Sequence, residues 1–256
     1  MTTITGLSGD LHTMVRRELV ARQLAEHMTR LRDRGPLRVL DVGCGPASPG
    51  ILLARAGHIV TSVNTDTDVL TTLHEDLAQE SADVQGRMRL VEGDGAEAGR
   101  HFPPGSFDLA ICHDVLEAQP EPDGMLAALA RMMTQGGLVS VTSRNAGSLA
   151  MRAGAAAQWT ATLKALSSTT YPASGGGTWR ADTVESLSTV LSDLGAPVLD
   201  WYGVGVFSGL QPEDAEPPRG QKAWQNLLAC EEDASRRDPY RRIAPVVHLV
   251  AEKTVR

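Results

Sequence analysis

Apolar residues recur at helical spacing near the start of the chain. Leu11, Val15, Leu19, Leu24, Met28 and Leu31 stand with charged residues between them. The spacing predicts a helix over 11–33, stopped by Gly35-Pro36. Beyond it the pattern changes. Short apolar or β-branched runs at 37–41, 58–63, 88–91, 107–112 and 138–142 read as strands. Helical patterns at 49–56, 67–81 and 123–134 separate several of them, with Gly57 and Gly136-Gly137 as stops. Further on, 180–194 reads as an amphipathic helix, 198–204 as a strand and 208–221 as a Pro-rich loop. A helix over 222–237 and a strand over 244–251 complete the series. No internal repeat appears. Strands alternating with helices predict βαβ units, hence an α/β fold with a mainly parallel sheet. Such sheets bind ligands beyond the carboxyl ends of their strands, so functional residues are expected just after each strand.

Residues 145–178 break the alternation. This stretch is rich in Gly, Ala, Ser and Thr, lacks acidic residues, and carries Arg152 and Lys164. Its place after the fifth strand puts it at the ligand edge. It reads as a partly helical lid with a hinge at 174–177, with Trp159 and Trp179 packing it. The plainer alternative is a passive surface insertion.

Length and composition narrow the class. The 256 residues suit one α/β domain, with a cover helix (11–34), a core (37–143), the lid (145–178) and a C-terminal part of the sheet (180–256). Hydrophobic residues are 42% and aromatics 4%, so the core must be built from Leu, Val, Ala and Met. No apolar run reaches membrane-spanning length, and the first residues do not read as a secretory signal. Cys44, Cys112 and Cys230 are far apart and lack metal-type spacing, so free thiols, no metal and a cytoplasmic setting are expected. Net charge is −7, against broad phosphate binding but compatible with local basic patches.

The strongest local signal is Val39-Leu40-Asp41-Val42-Gly43-Cys44-Gly45-Pro46-Ala47. A strand ends near an acid and then turns through two glycines, which allow positive φ and close approach of a ligand to the backbone. In dinucleotide-binding proteins such a turn meets pyrophosphate at a helix N-terminus. Here Asp41 would repel phosphate but attract an ammonium group, and Ala47 replaces the third glycine. A tight turn without a ligand is the bland alternative. At the end of the second strand the usual ribose-binding acid is replaced by Asn64. Asp66, two residues on, suits either a ribose contact or the cap of the helix that begins near Thr67.

These pieces resemble the class I S-adenosylmethionine-dependent methyltransferases. VLDVGCGPASPG is similar to their first motif, GHIVTSVNTDTDVL to the second, FDLAICHDVLEAQPEPDGML to the fourth-strand motif and MMTQGGLVSVTS to the fifth. The resemblance implies a Rossmann-like seven-stranded sheet, mostly parallel with an antiparallel last strand. A closer resemblance, carried by His113-Asp114-Val115-Leu116-Glu117, Ser143-Arg144-Asn145-Ala146-Gly147, Gly203–Phe207 and Asp238-Pro239-Tyr240, is to bacterial tRNA 5-carboxymethoxyuridine methyltransferases. It implies cofactor contacts at Arg16 (the methionine carboxylate), Gly43, Cys44, Asn64, Gly95, Ala96 and His113. Asp41, Gly45, Asp66 and Asp94 belong to the same candidate cofactor set. The tRNA enzymes carry a Lys cluster where this chain reads Leu163-Lys164-Ala165-Leu166-Ser167-Ser168, which removes much of the salt-dependent affinity for RNA.

Three readings follow. The first is a methyltransferase acting on a small molecule, through oxygen. The second is a tRNA carboxyl methyltransferase, and the third a non-catalytic cofactor-binding partner protein on the same fold. His113 is the catalytic candidate, with a structural strand-end histidine as the alternative. Asp114 and Glu117 suit either site carboxylates or charges opening the next helix. His12, Arg144 and Tyr171 are candidates for the acceptor, the last two for an anionic one. For His12, a solvated helix-face position is the competing assignment.

Overall fold

A computed structural model of the chain describes residues 9–45, 49–119, 121–173 and 176–254. Ala47, and Ser174 with Gly175 of the expected hinge, lie outside these residues.

Seven strands form the main sheet: β1 (Arg38–Val42), β2 (Ile59–Asn64), β3 (Met88–Glu92), β4 (Phe107–Cys112), β5 (Met133–Arg144), β8 (Val198–Val204) and β9 (Val246–Glu252). Between β5 and β8 lies a separate hairpin, β6 (Thr170–Pro172) and β7 (Thr178–Arg180). The sheet order is β3-β2-β1-β4-β5-β9-β8. β1 to β5 pair in parallel, while β9 runs antiparallel to both β5 and β8. This is the Rossmann-like sheet expected, with an antiparallel last strand. The order reverses at β1, so a crevice opens between the ends of β1 and β4.

The helices are α1 (Leu11–Met28), α2 (Gly50–Arg55), α3 (Thr67–Ala78), α4 (Ala82–Gln85), α5 (Ala98–His101), α6 (Asp123–Met132), α7 (Leu149–Ala155), α8 (Trp159–Ala165), α9 (Val184–Asp193) and α10 (Gln221–Ala234). Strands β1 and β4 are buried nearly throughout, because helices cover both faces. One core layer joins α6 and α9 to the sheet through Met125, Leu126, Leu129, Leu187 and Leu191. The opposite layer uses Leu24, Ala54 and Leu77 against Val39, Ile111 and Val250. Asp10 caps α1 by accepting from the Thr13 N–H at 2.9 Å. Leu11, Val15 and Leu19 then pack the helix against Val204 and Val246, beside the carboxyl edge of the sheet.

Three expectations need correction. The helix expected over 123–134 ends at Met132, and β5 starts at once. Gly136-Gly137 does not stop a helix. It lies within β5, where Gly136 takes φ +67 and the pairing with β4 shifts register. The helix expected from 180 begins only at Val184, capped by Thr183, because Arg180 is still in β7. In segment 145–180, Trp179 packs edge-on to Tyr171, whereas Trp159 is 67% exposed.

Candidate active site

The turn after β1 is built as its residue types dictate. Gly43 takes φ +71, a left-handed conformation that favours glycine. Its N–H donates to the Val63 carbonyl at 2.8 Å, tying the turn to β2. A Cβ on Gly43 would come within 2.2 Å of Val115 Cγ2, so the turn is packed against the segment that follows β4. Gly45 differs: a Cβ there would meet nothing within 4 Å among the described residues. Among the described residues nothing fills the space beside Gly45. Asp41 is buried behind it. Burial, with the Asp41 charge adding to it, pushes the neighbouring Cys44 thiol up to about 12, so Cys44 is a neutral packing residue at ordinary pH.

The other cofactor candidates gather along the same edge. Asn64 Nδ2 donates to the Cys44 carbonyl at 2.6 Å and Asn64 Oδ1 accepts from the Asp66 N–H at 2.8 Å. Its amide clips the first turn to the second. Asp66 accepts from the Asp68 and Val69 N–H groups, so it caps α3. Asp94 accepts from the Ala96 N–H at 2.9 Å and shapes the turn after β3. Gly95 is there for packing, since a Cβ would lie 2.1 Å from Val42 Cγ1. Arg16 reaches over from α1 to Asp114 at 3.0 Å. Asp114 has φ +59, and both its N–H and its carboxylate engage the Thr142 hydroxyl, at 3.0 and 3.2 Å.

His113 follows β4 directly. Its Nε2 lies 2.8 Å from Ser140 Oγ, and burial lowers its pKa to about 4. It is a neutral imidazole at ordinary pH, unsuited to accept a proton outright.

A cavity of about 340 Å³ adjoins this edge, between α1, α7 and the segments after β5 and β8. His12, Arg16, Arg144, Arg152, Ser148 and Glu213 are among its lining. His12 Nε2 is fixed at 2.9 Å from the Pro212 carbonyl. Arg152 is paired with Glu213 at 2.8 Å and donates to the Gln211 carbonyl at 2.9 Å. Among the described residues no carboxylate lies within ion-pair distance of Arg144, although the Glu117 charge acts on it. Its guanidinium lies 5.2 Å from the centre of the Tyr171 ring, and its buried Nε makes no hydrogen bond. Tyr171 is not among the residues lining the cavity; it backs Arg144 from the lid.

Glu117, read from the sequence as either a site carboxylate or a charge opening the next helix, opens no α-helix and sits in a 3-10 turn after β4. Burial, and next the Asp114 charge, push its carboxyl up to about 7. Tyr171 donates a short hydrogen bond to it. This contact holds the hairpin β6–β7 against the segment after β4. The segment after β5 is also tied to the sheet at both its ends. The Asp182 N–H donates to the Arg144 carbonyl at 2.8 Å, the Ala146 N–H donates to the Asp182 carbonyl at 2.9 Å, and Ser143 Oγ donates to the Asp182 carboxylate at 2.7 Å. Among the described residues no cluster of His, Cys, Asp or Glu could hold a metal, and no helix is long and apolar enough to cross a membrane.

With sheet order, turn and cavity in place, the comparisons with known proteins fall on the same region. Residues 40–141 match the family described as "Methyltransferase domain". A ubiquinone biosynthesis O-methyltransferase of Xanthomonas campestris pv. campestris is 32% identical over 108 residues, 42% of this chain and 43% of that enzyme. The chain thus matches under half the length of that curated relative. Among solved structures, magnesium protoporphyrin IX methyltransferase from Synechocystis, with bound SAH, superposes with TM-score 0.58 at 16% identity, covering 94% of this chain and 84% of that one. The 4+2 cyclase SpnF superposes with TM-score 0.57 at 21% identity, over 92% and 82% of the two chains. Residues 40–141 thus match a methyltransferase-domain family, and the chain shares its fold with solved S-adenosylmethionine-type methyltransferases. The cyclase shows that this fold alone does not fix the reaction.

Proposed function

We propose that this chain transfers a methyl group from S-adenosylmethionine to an oxygen of a small-molecule acceptor. The observation that carries the reading is the turn after β1, where Asp41, left-handed Gly43 and the open space at Gly45 form a cradle suited to a cationic, non-phosphate ligand. Asn64, Asp66 and Asp94 to Ala96 would line the nucleoside part of that cradle. Arg16 would leave Asp114 for the amino-acid carboxylate, a two-pronged partner of the same kind. Bound there, the cofactor supplies a methyl on a positively charged sulfur, so the new O–C bond forms as the C–S bond breaks and the leaving group departs neutral.

The chain's own residues then have two tasks, alignment and exclusion of water. Arg144 lines the cavity with a buried Nε that makes no hydrogen bond, and it would hold an anionic acceptor group. Glu117, with a pKa near neutrality, would take the proton of a hydroxyl acceptor; an acceptor that is already ionised needs none. The hairpin carrying Tyr171 closes the edge.

The tRNA reading is weakened by the lid's outer face. Trp159, Leu163 and Leu166 there are 67%, 70% and 70% exposed, an apolar surface in place of a basic one. Incubation of the protein with methyl-labelled cofactor and separated small-molecule and RNA fractions tests both. Label in the small-molecule fraction supports the proposal. Label only in RNA, in a reaction that falls steeply with salt, replaces it with the second reading. Cofactor binding without label in either fraction supports the non-catalytic one.

A further inference from the structure

A chain of buried polar side chains runs from α1 and α10 through the core to the end of β4. Its hydrogen positions can be settled from one end. Ser235 donates its hydroxyl to the Glu232 carbonyl at 2.7 Å, so towards Gln23 it can only accept. Gln23 Nε2 donates to it at 3.4 Å. The Gln23 amide is thereby oriented, with Oε1 facing His248 Nδ1 at 2.8 Å. A carbonyl oxygen accepts only, so His248 carries its hydrogen on Nδ1. His248 is fully buried, and burial holds its pKa well below the ordinary imidazole value. It is neutral, and its Nε2 is bare.

Ser140 Oγ lies 2.8 Å from His248 Nε2 and 2.8 Å from His113 Nε2. It has one hydrogen, which goes to the bare nitrogen of His248. Towards His113 it must accept. His113 therefore carries its hydrogen on Nε2 and leaves Nδ1 bare. Among the described residues Nδ1 has no partner, and His113 is only half-buried. Gln23, Ser140 and His248 are each 1% exposed or less. Polar groups at such depth are costly unless every one is satisfied, and here each hydrogen has one destination.

We infer that Gln23, His248 and Ser140 are positioning residues that lock His113 in the tautomer whose Nδ1 lone pair faces the ligand edge, as an acceptor for an N–H or O–H of the bound molecule. The location supports this. His113 follows β4, beside the Arg16–Asp114 pair, and Val115, two residues on, packs on the Gly43 turn. A neutral ring with its lone pair outward also tolerates a cationic ligand that a protonated ring would repel. The tautomer stands on the protein alone; the identity of the ligand rests on the proposed function.

The test is two-bond proton–nitrogen correlation spectroscopy on full-length protein labelled with 15N-histidine. In the wild type, the expected result is opposite tautomers in neighbouring rings: His113 protonated on Nε2 and His248 on Nδ1. Two rings of the same tautomer, or His113 protonated on Nδ1, would overturn the inference without any variant. Ser140→Ala should mix the tautomers of His113, whereas Gln23→Glu, which still accepts from His248, should preserve both. Retention of a single His113 tautomer in folded Ser140→Ala would also overturn it. S-adenosylhomocysteine is then added. Binding that shifts His113 Nδ1 supports the role at the ligand edge, and binding that leaves it unmoved removes that role. If that compound does not bind, the proposed function falls and the relay is judged on the ligand-free spectrum.

Discussion

Arg16 on α1 meets Asp114 after β4 at 3.0 Å, so the helix covering the sheet edge is fastened to the segment beside the glycine turn. Both side chains are about a third exposed, at 34% and 38%, and such a pair is screened by solvent. It contributes little to stability and can yield to a better carboxylate. Arg16→Ala should leave the melting temperature nearly unchanged. It should weaken S-adenosylmethionine binding by about tenfold to a hundredfold, the worth of a charge-assisted hydrogen bond. Arg16→Lys should recover only part, because an ammonium lacks the planar fork. Unchanged affinity in Arg16→Ala, measured by calorimetry, would place the ligand carboxylate elsewhere.

Two glycines on this edge separate ligand space from packing space. At Gly45 a Cβ meets nothing within 4 Å among the described residues, whereas at Gly95 it lies 2.1 Å from Val42 Cγ1 and 2.8 Å from Met125 Sδ. Gly95→Ala should therefore destabilise the fold by roughly 1–3 kcal/mol, the usual cost of overpacking. Gly45→Ala should melt within a degree or two of wild type, about ±0.5 kcal/mol, yet bind the cofactor more weakly. Thermal denaturation paired with ligand titration distinguishes them. A Gly45→Ala variant with wild-type affinity would mean that the open space is not ligand space.

Glu117 provides a pH-dependent test. Its carboxyl is raised from 4.5 to about 7, chiefly by burial. As pH rises through that window the unfolded chain ionises first, so the folded state loses stability between about 4.5 and 7 and the loss persists above. Glu117→Gln keeps an oxygen for Tyr171 and has no charge to bury. The variant should be more stable than wild type above pH 7, with no such gain below pH 4.5. Melting curves across this range check the sign. Equal stability of the two proteins at every pH would contradict the burial.

Asp182 ties the end of segment 145–180 to β5. It is 2% exposed and binds Ser143 Oγ, and Arg180 is paired with its other oxygen. Asp182→Ala removes the acceptor of Ser143 and a partner of Arg180 and should cost about 1–3 kcal/mol, the usual range for lost buried hydrogen bonds to a charge. Limited proteolysis should then cut first within 145–180, ahead of the sheet. Cleavage elsewhere at wild-type rates would show that the lid does not depend on this residue.

The periodicity of the chain foretold the sheet well, because strands buried on both faces are unbroken apolar runs such as Val39-Leu40 and Leu109-Ala110-Ile111. The N-terminal helix was equally plain, with Leu11, Val15 and Leu19 on one face. The lid hairpin was not. Its strands have three residues each, too few for an alternation to register, and Gly176 and Gly177 between them, both at positive φ, resemble a hinge in the sequence. Gly136-Gly137 misled for a related reason: a glycine pair punctuates a helix and a bulged strand alike. In the site, the acidic glycine turn announced itself through local sequence. Glu117 was legible only as one of two alternatives, since its raised pKa comes first from burial, which no local spacing reports, and its partner Tyr171 is 54 positions away. Ser140, His248 and Gln23 lie on three different elements, and no spacing rule connects them.

The central claim is that the turn after β1 holds the sulfonium cofactor, and calorimetric titration tests it most directly. S-adenosylmethionine should bind wild type well below the millimolar range, roughly the weak end of useful affinity, and binding should disappear in Asp41→Ala and in Gly43→Val. Asp41→Asn, closest in shape to the native side chain, should stay folded and still lose most of the affinity. Wild-type protein that ignores the compound at about millimolar concentration, or undiminished affinity in all three variants, would contradict the account.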